Sequence, residues 1–173
     1  MKILVTGGAG FIGLNVVRQL LDAGHDIRVI DLPGQIERAD IPRDVEVFVG
    51  SILDSAEVHR ALRGYDYVVH LAARLGVKRT EVERMSCLNV NINGTVNLLE
   101  AAVKENIKKI VFASSSEVYG NQSQIPITEE NPVNPISVYA ITKLVGEEYL
   151  RAYKQEYNLD YSIVRFFNVY GKG

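Results

Sequence analysis

The chain is 173 residues long with 47% hydrophobic and 23% charged residues, a balance that excludes disorder and charge-dominated tails and allows one globular core. Nineteen Lys+Arg against 21 Asp+Glu give a net charge of −2, without the basic excess expected of a phosphate-backbone binder, so no nucleic-acid partner is expected. One cysteine, Cys87, and three scattered histidines, His25, His59 and His70, supply neither an internal disulfide nor metal-ligand spacing; no apolar stretch approaches the roughly 18 residues that span a bilayer, so the expected setting is the cytoplasm, away from membranes.

Short β-branched runs alternate with helix-spaced apolar residues, the pattern of βα units around a parallel sheet. The first strand is expected over Lys2 to Thr6, and glycines cut the run off before it reaches the length of a signal-peptide core. Thr6-Gly7-Gly8-Ala9-Gly10-Phe11-Ile12-Gly13 then opens a helix expected over Phe11 to Ala23, with Gly24 as its stop. Two registers fit this loop: Gly8, Gly10 and Gly13 as G-x-G-x-x-G, or Gly7, Gly10 and Gly13 as G-x-x-G-x-x-G. In both, the glycines permit a tight turn and close backbone approach, and the helix N-terminus offers N–H groups to a pyrophosphate. A plain strand-to-helix turn would explain the glycines but not the residue that follows. The second strand, expected over Asp26 to Ile30, ends in Asp31, 18 residues beyond Gly13. A carboxylate there accepts hydrogen bonds from a ribose 2′-OH and repels a 2′-phosphate, so the chain reads as dinucleotide-binding, with NAD favoured over NADP.

Further elements are expected in order: a strand over Val45 to Val49, a helix over Ser55 to Leu62, a strand over Tyr67 to Leu71, a long helical stretch from about Glu81 to Glu105, and a strand over Lys109 to Ala113. The last of these runs into Ser114-Ser115-Ser116-Glu117-Val118-Tyr119-Gly120, placing hydroxyls and a carboxylate at a strand's carboxyl end, where open α/β sheets bind ligands. Gly120 to Ser137, with three prolines, is the longest non-periodic segment, and a loop of that length is expected to be functional. A helix over Val138 to Tyr157 and a strand over Tyr161 to Phe166 complete six strands, several continuously apolar as in a sheet covered on both faces, which fit one doubly wound parallel α/β sheet.

On the last helix Tyr139 and Lys143 are four apart and share a face, about 6 Å apart along the axis. A phenol of pKa ~10 is a poor base at neutral pH, but a neighbouring ammonium favours the phenolate, so Lys143 is expected to lower the pKa of Tyr139. The pair then makes a proton acceptor for a hydroxyl. Tyr-x-x-x-Lys alone carries little information and also describes an ordinary helical surface pair; the serine-rich strand end is the third element that gives it weight.

Together these motifs resemble the extended short-chain dehydrogenase/reductase family, in particular its NAD-dependent nucleotide-sugar epimerases and dehydratases. The likeness runs in order through the glycine loop, Asp31, His70-Leu71-Ala72-Ala73, Asn91-Ile92-Asn93-Gly94-Thr95, the serine-Val118-Tyr119-Gly120 turn, Pro132, Pro135, Tyr139, Lys143 and Arg165-Phe166-Phe167-Asn168-Val169-Tyr170-Gly171. It implies a Rossmann domain over residues 1–173 in which Ser115 and Tyr139 are catalytic, with Tyr139 as base and Lys143 holding the nicotinamide ribose. It further implies that Gly7, Gly10, Phe11 and Ile12 line the pyrophosphate, Asp31 meets the adenosine ribose, Ser51 and Ile52 lie by the adenine, and Leu71, Ala72, Ala73 and Asn91 wall the cofactor. Many relatives have Asp where Ser51 stands, so a contact is weakened there. Ser115 and Asn168 would face the sugar nucleotide, and the reaction would begin with oxidation of the sugar, usually at C4.

Ser115-Ser116-Glu117 is similar to the Thr-Ser-Glu of GDP-mannose dehydratases and UDP-glucuronate decarboxylases, where the Glu is a second acid/base; a structural hydrogen bond in the turn is the alternative for Glu117. A UDP-glucuronate decarboxylase-like lyase and a non-catalytic NAD-binding sensor therefore stand as alternative functions, the second opposed by the joint presence of Ser115, Tyr139 and Lys143. Arg74, Lys78 and Arg79 would meet substrate phosphates or form solvated surface, Cys87 is expected to be a packed core residue, and His70 to sit at a strand end outside catalysis. Members of the resembled family continue well past this length into a substrate lobe and are homodimers, so the chain is expected to be a piece of a longer enzyme that binds NAD weakly and has no turnover alone.

Overall fold

The computed structural model describes residues 1–75 and 82–171. In chain order they form β1 (Lys2–Thr6), α1 (Phe11–Asp22), β2 (Asp26–Asp31), α2 (Pro33–Ile36), β3 (Glu46–Val49), α3 (Ser55–Leu62), β4 (Tyr67–His70), α4 (Arg84–Leu88), a π-helical turn (Asn89–Asn93), α5 (Gly94–Lys104), β5 (Lys109–Ser115), a 3₁₀ turn (Ser116–Tyr119), α6 (Val138–Tyr157) and β6 (Asp160–Phe166). The six strands are parallel in the order β3-β2-β1-β4-β5-β6. This is the doubly wound sheet expected from the sequence, with its switch point between β1 and β4, where the carboxyl ends of the strands diverge to leave a crevice.

Strand parity sorts the apolar side chains into two layers. Ile3, Val5, Ile27 and Val29 face Val17 of α1, whereas Leu4, Ile30, Val68, Ile110 and Phe112 face Val58 and Leu62 of α3, Leu98 and Leu99 of α5 and Leu150 of α6. Local chemistry sets the helix ends. Asp54 caps α3 by accepting from the Glu57 amide at 3.0 Å, Ser137 caps α6 by accepting from the Ala140 amide at 3.1 Å, and Gly24 follows α1 with φ +78°.

The long helix expected from about Glu81 to Glu105 is divided by the π-helical turn, and Glu81 itself lies outside the described residues. The division has a local cause: the Asn91 carbonyl accepts from the Thr95 hydroxyl at 2.7 Å, and the Asn91 side chain turns sideways into neighbouring segments, so the regular ladder is interrupted. The single turn of α2, begun by Pro33, and the 3₁₀ turn after β5 have no hydrophobic periodicity and are absent from the sequence expectation.

Candidate functional site

β1 delivers the glycine loop to the crevice. Gly7 has φ +71°, and a Cβ there would lie 2.7 Å from the Ala72 nitrogen, so no side chain is tolerated where the loop crosses the end of β4. A Cβ on Gly13 would lie 2.3 Å from the Gly7 carbonyl oxygen, which lets α1 start directly against the turn. Gly8 instead packs on the Val29 side chain, away from the crevice. The structure thus selects the Gly7, Gly10, Gly13 register. No side chain caps the N-terminus of α1 and its first turn has no acid, leaving the amides around Phe11 and Ile12 as an anion-binding end.

Across the loop, Asp31 at the end of β2 accepts from the Ala9 amide at 3.1 Å and the Leu32 amide at 2.8 Å. Burial raises its carboxyl above the usual range, against those two bonds. The carboxylate borders a cleft of about 450 Å³ that also meets Ser51, Ile52, Leu71, Ala72 and Ala73. The Ser51 amide donates to Glu57 at 2.8 Å and its hydroxyl accepts from the Leu53 amide at 3.2 Å, so this turn is built from within. Glu57 holds this turn, and its mark in the sequence is the helix-start pattern Asp54-x-x-Glu57.

The wall after β4 is held by a polar chain. The Ala72 amide donates to the Thr6 hydroxyl (3.2 Å), which meets His70 Nδ1 (2.6 Å), while His70 Nε2 meets the Thr95 hydroxyl (3.0 Å). Since Thr95 donates onward to the Asn91 carbonyl, the chain is satisfied by a neutral His70 carrying its proton on Nε2. Burial, then the Lys143 charge, lowers the His70 pKa to about 3, consistent with a structural residue. Asn91 lies behind the wall: Oδ1 accepts from the Arg74 amide (2.7 Å), and Nδ2 donates to the Arg74 carbonyl (3.2 Å) and the Thr142 hydroxyl (3.0 Å). It supports the wall instead of facing the cleft. Arg74 borders the cleft and pairs with Glu83; Lys78 and Arg79 lie outside the described residues.

A second chamber of about 390 Å³ opens from Gly7, Gly10, Phe11 and Ile12 towards Ser115, Tyr139, Lys143 and Asn168. Ser115 and Tyr139 line this chamber together, and the Ser115 hydroxyl accepts from the Glu117 amide at 3.2 Å. The buried Lys143 Nζ donates to the Ala113 carbonyl at 2.7 Å, 5.9 Å from the centre of the Tyr139 ring. Desolvation pushes Lys143 down to about 8. Tyr139 is pushed up to about 12, first by desolvation, then by Cys87 and Glu117, with the Ser115 hydrogen bond opposing. This corrects the expectation that Lys143 lowers the Tyr139 pKa: the ammonium, 5.9 Å from the ring centre, donates to a backbone carbonyl, and desolvation dominates the phenol. Glu117 is exposed on the 3₁₀ turn, its amide committed within that turn and its side chain outside the chamber wall. Cys87 is fully buried.

The two chambers join along Gly7, Gly10 and Leu71, a shape suited to two nucleoside halves bridged by a pyrophosphate at the start of α1. Residues 3–173 match the NAD dependent epimerase/dehydratase family. A putative UDP-glucose 4-epimerase of Methanocaldococcus jannaschii is 37% identical over 98% of this chain and 56% of its own, and a UDP-N-acetyl-alpha-D-glucosaminuronate decarboxylase of Bacillus cytotoxicus is 36% identical over 98% and 55%. The structure of the UDP-glucose 4-epimerase of Thermus thermophilus in complex with NAD superposes with a TM-score of 0.93 at 38% identity, covering 99% of this chain and 56% of that one. The chain spans little more than half the length of these relatives.

Proposed function

The chain belongs to the NAD dependent epimerase/dehydratase family, and from that premise we propose that residues 1–173 are the NAD-binding Rossmann domain of an epimerase or dehydratase acting on a nucleotide sugar. The observation that carries this reading is the chamber in which Ser115, Tyr139 and Lys143 meet the glycine loop. Gly7, Gly10, Phe11 and Ile12 would hold the pyrophosphate, Asp31 the adenosine ribose, Ser51 and Ile52 the adenine edge, and Lys143 the nicotinamide ribose. Bound NAD supplies the hydride acceptor for oxidation of the sugar. Ser115 orients the sugar hydroxyl, usually that at C4, and Tyr139 takes its proton. With its phenol at about 12, Tyr139 needs added positive charge nearby to do so, and the Lys143 ammonium, four residues away, is the chain's own source.

The decarboxylase reading keeps the same first step and is supported by the Bacillus cytotoxicus relative. Self-association as a homodimer fits the apolar groove of Ile141, Leu144, Val145, Tyr149 and Ala152 on the outer face of α6. A cytoplasmic enzyme without membrane or nucleic-acid contacts fits the near-neutral charge and single cysteine. The test is titration with NADH and NADPH, followed by NMR analysis of the products that the full-length enzyme forms from UDP-, GDP- and dTDP-sugars. NADH is expected to bind more tightly, and an epimerised or dehydrated sugar to form. Preference for NADPH would overturn the cofactor assignment, and a decarboxylated product would select the alternative.

A further inference from the structure

One turn beyond Lys143 and two beyond Tyr139, on the same face of α6, stands Glu147. Its side chain is 0% exposed, yet it carries a carboxylate. Oε1 accepts from the Ser114 hydroxyl at 2.6 Å and Arg165 Nε at 2.9 Å; Oε2 accepts from Arg165 Nη2 at 2.7 Å and Arg151 Nη2 at 3.3 Å. Burial opposes ionisation of this carboxyl, but the bonds from Arg165 and Ser114 outweigh it and hold the group below the usual carboxylate range. Ser114 and Arg165 are register partners on β5 and β6, so the carboxylate pins α6 at the seam between two strands. The Arg165 guanidinium also lies 4.8 Å over the Tyr119 ring, at the end of the 3₁₀ turn.

Each arm of this network ends next to a residue of the proposed chemistry. Ser114 precedes Ser115, Tyr119 closes the turn that carries Glu117, Arg165 lies three residues before Asn168, and Glu147 shares its helix face with Tyr139 and Lys143. Apolar side chains of similar volume stabilise an interior as well as a buried ion pair does, so cohesion alone gives little reason for a carboxylate here. The other polar tie between α6 and β5 at this level is the Lys143 bond to the Ala113 carbonyl. Lys143 has two further N–H donors to offer a ligand, and the Glu147 tie holds α6 on β5 whichever way that ammonium turns.

We propose that Glu147 is a positioning residue for the reaction: through Ser114 and Arg165 it fixes Ser115 against Tyr139 while Lys143 is free to engage a ligand. This rests on the function proposed above for the chamber. Ser114→Ala cuts the arm to β5 and leaves the Glu147–Arg165 pair intact; Glu147→Gln removes the charge. In the full chain labelled with 3-fluorotyrosine, ¹⁹F NMR reports the Tyr139 ring, assigned with Tyr139→Phe, while Tyr65, beside Glu46, serves as a remote control. Ser114→Ala is expected to shift or split the Tyr139 resonance and leave that of Tyr65 in place. NADH affinity should stay within about twofold, and in the full-length enzyme kcat should fall about tenfold at nearly constant KM, as for a misplaced reacting group. An unchanged Tyr139 resonance with unchanged kcat, whatever happens to the melting temperature, would make Glu147 a fold stabiliser and overturn the proposal. Should Glu147→Gln fail to fold, Ser114→Ala decides alone. If the wild-type chain binds no NADH, the proposed function fails, while the resonance comparison still decides the role of Glu147.

Discussion

Burial raises the Tyr139 phenol to about 12, so the fold by itself favours its neutral form, and the hydroxyl is useful only as a proton acceptor once the chamber's charge changes. Tyr139→Phe retains the ring and removes that acceptor; in the full-length enzyme NADH binding is expected to persist while sugar oxidation drops by at least about 100-fold, measured as NADH formation or product yield. Asp31 offers a second test at this scale. Its carboxylate is held towards the cleft by two backbone amides, and Asp31→Asn keeps the shape while removing the charge that repels a 2′-phosphate; the NADH/NADPH affinity ratio should fall by about tenfold or more in a fluorescence titration. His70 supplies a pH signature. Its folded pKa of about 3 lies below the ordinary 6.5, so the unfolded chain binds the extra proton between those values. The stability His70 contributes is complete above about pH 6.5 and is lost as pH falls towards 3, at no more than about 1.4 kcal/mol per pH unit. Urea midpoints for wild type and His70→Leu should therefore converge as the medium is acidified from pH 6.5 to 4.

Among the elements, α6 carries the most constraint, because it presents reacting groups and also packs on β5. At Gly146 a Cβ would lie 2.6 Å from the tip of the Phe112 ring, and Phe112 is itself fully enclosed and cannot retreat. Helix propensity favours Gly146→Ala by up to about 1 kcal/mol, but overpacking of a filled core costs about 1–3 kcal/mol, so the substitution is expected to destabilise in chemical denaturation. The sign of that result was not legible from the helix pattern, which places Val138 to Tyr157 correctly but says nothing about which ring faces which glycine. The same limit applies to the π-helical turn. Apolar spacing runs unbroken through Asn91, and the interruption follows from the Thr95 hydroxyl on its carbonyl together with the hold of Arg74 and Thr142, distant in sequence, on its side chain.

At the scale of the molecule, the described residues leave an apolar groove on the outer face of α6, with Ile141 and Tyr149 both exposed. If this groove is the homodimer contact, Leu144→Glu places a charge in it without touching the chamber. The variant should sediment as a monomer at concentrations where the wild type is dimeric, with NADH affinity unchanged.

The amino-acid order by itself determined the six strands, the parallel doubly wound sheet, the glycine loop, Asp31 and the shared face of Tyr139 and Lys143, because each depends on side-chain period or on spacing within one element. The tertiary structure alone decided that Gly7 and not Gly8 borders the crevice, that Asn91 stands behind the wall, that the Lys143 ammonium donates a hydrogen bond to the Ala113 carbonyl and that the Tyr139 pKa is raised and not lowered. It also brought Glu147 to Ser114 and Arg165, 33 and 18 residues away in the chain. These outcomes depend on desolvation and on hydrogen bonds between segments remote in sequence, and neither quantity exists until the layers of helix and sheet have closed on one another.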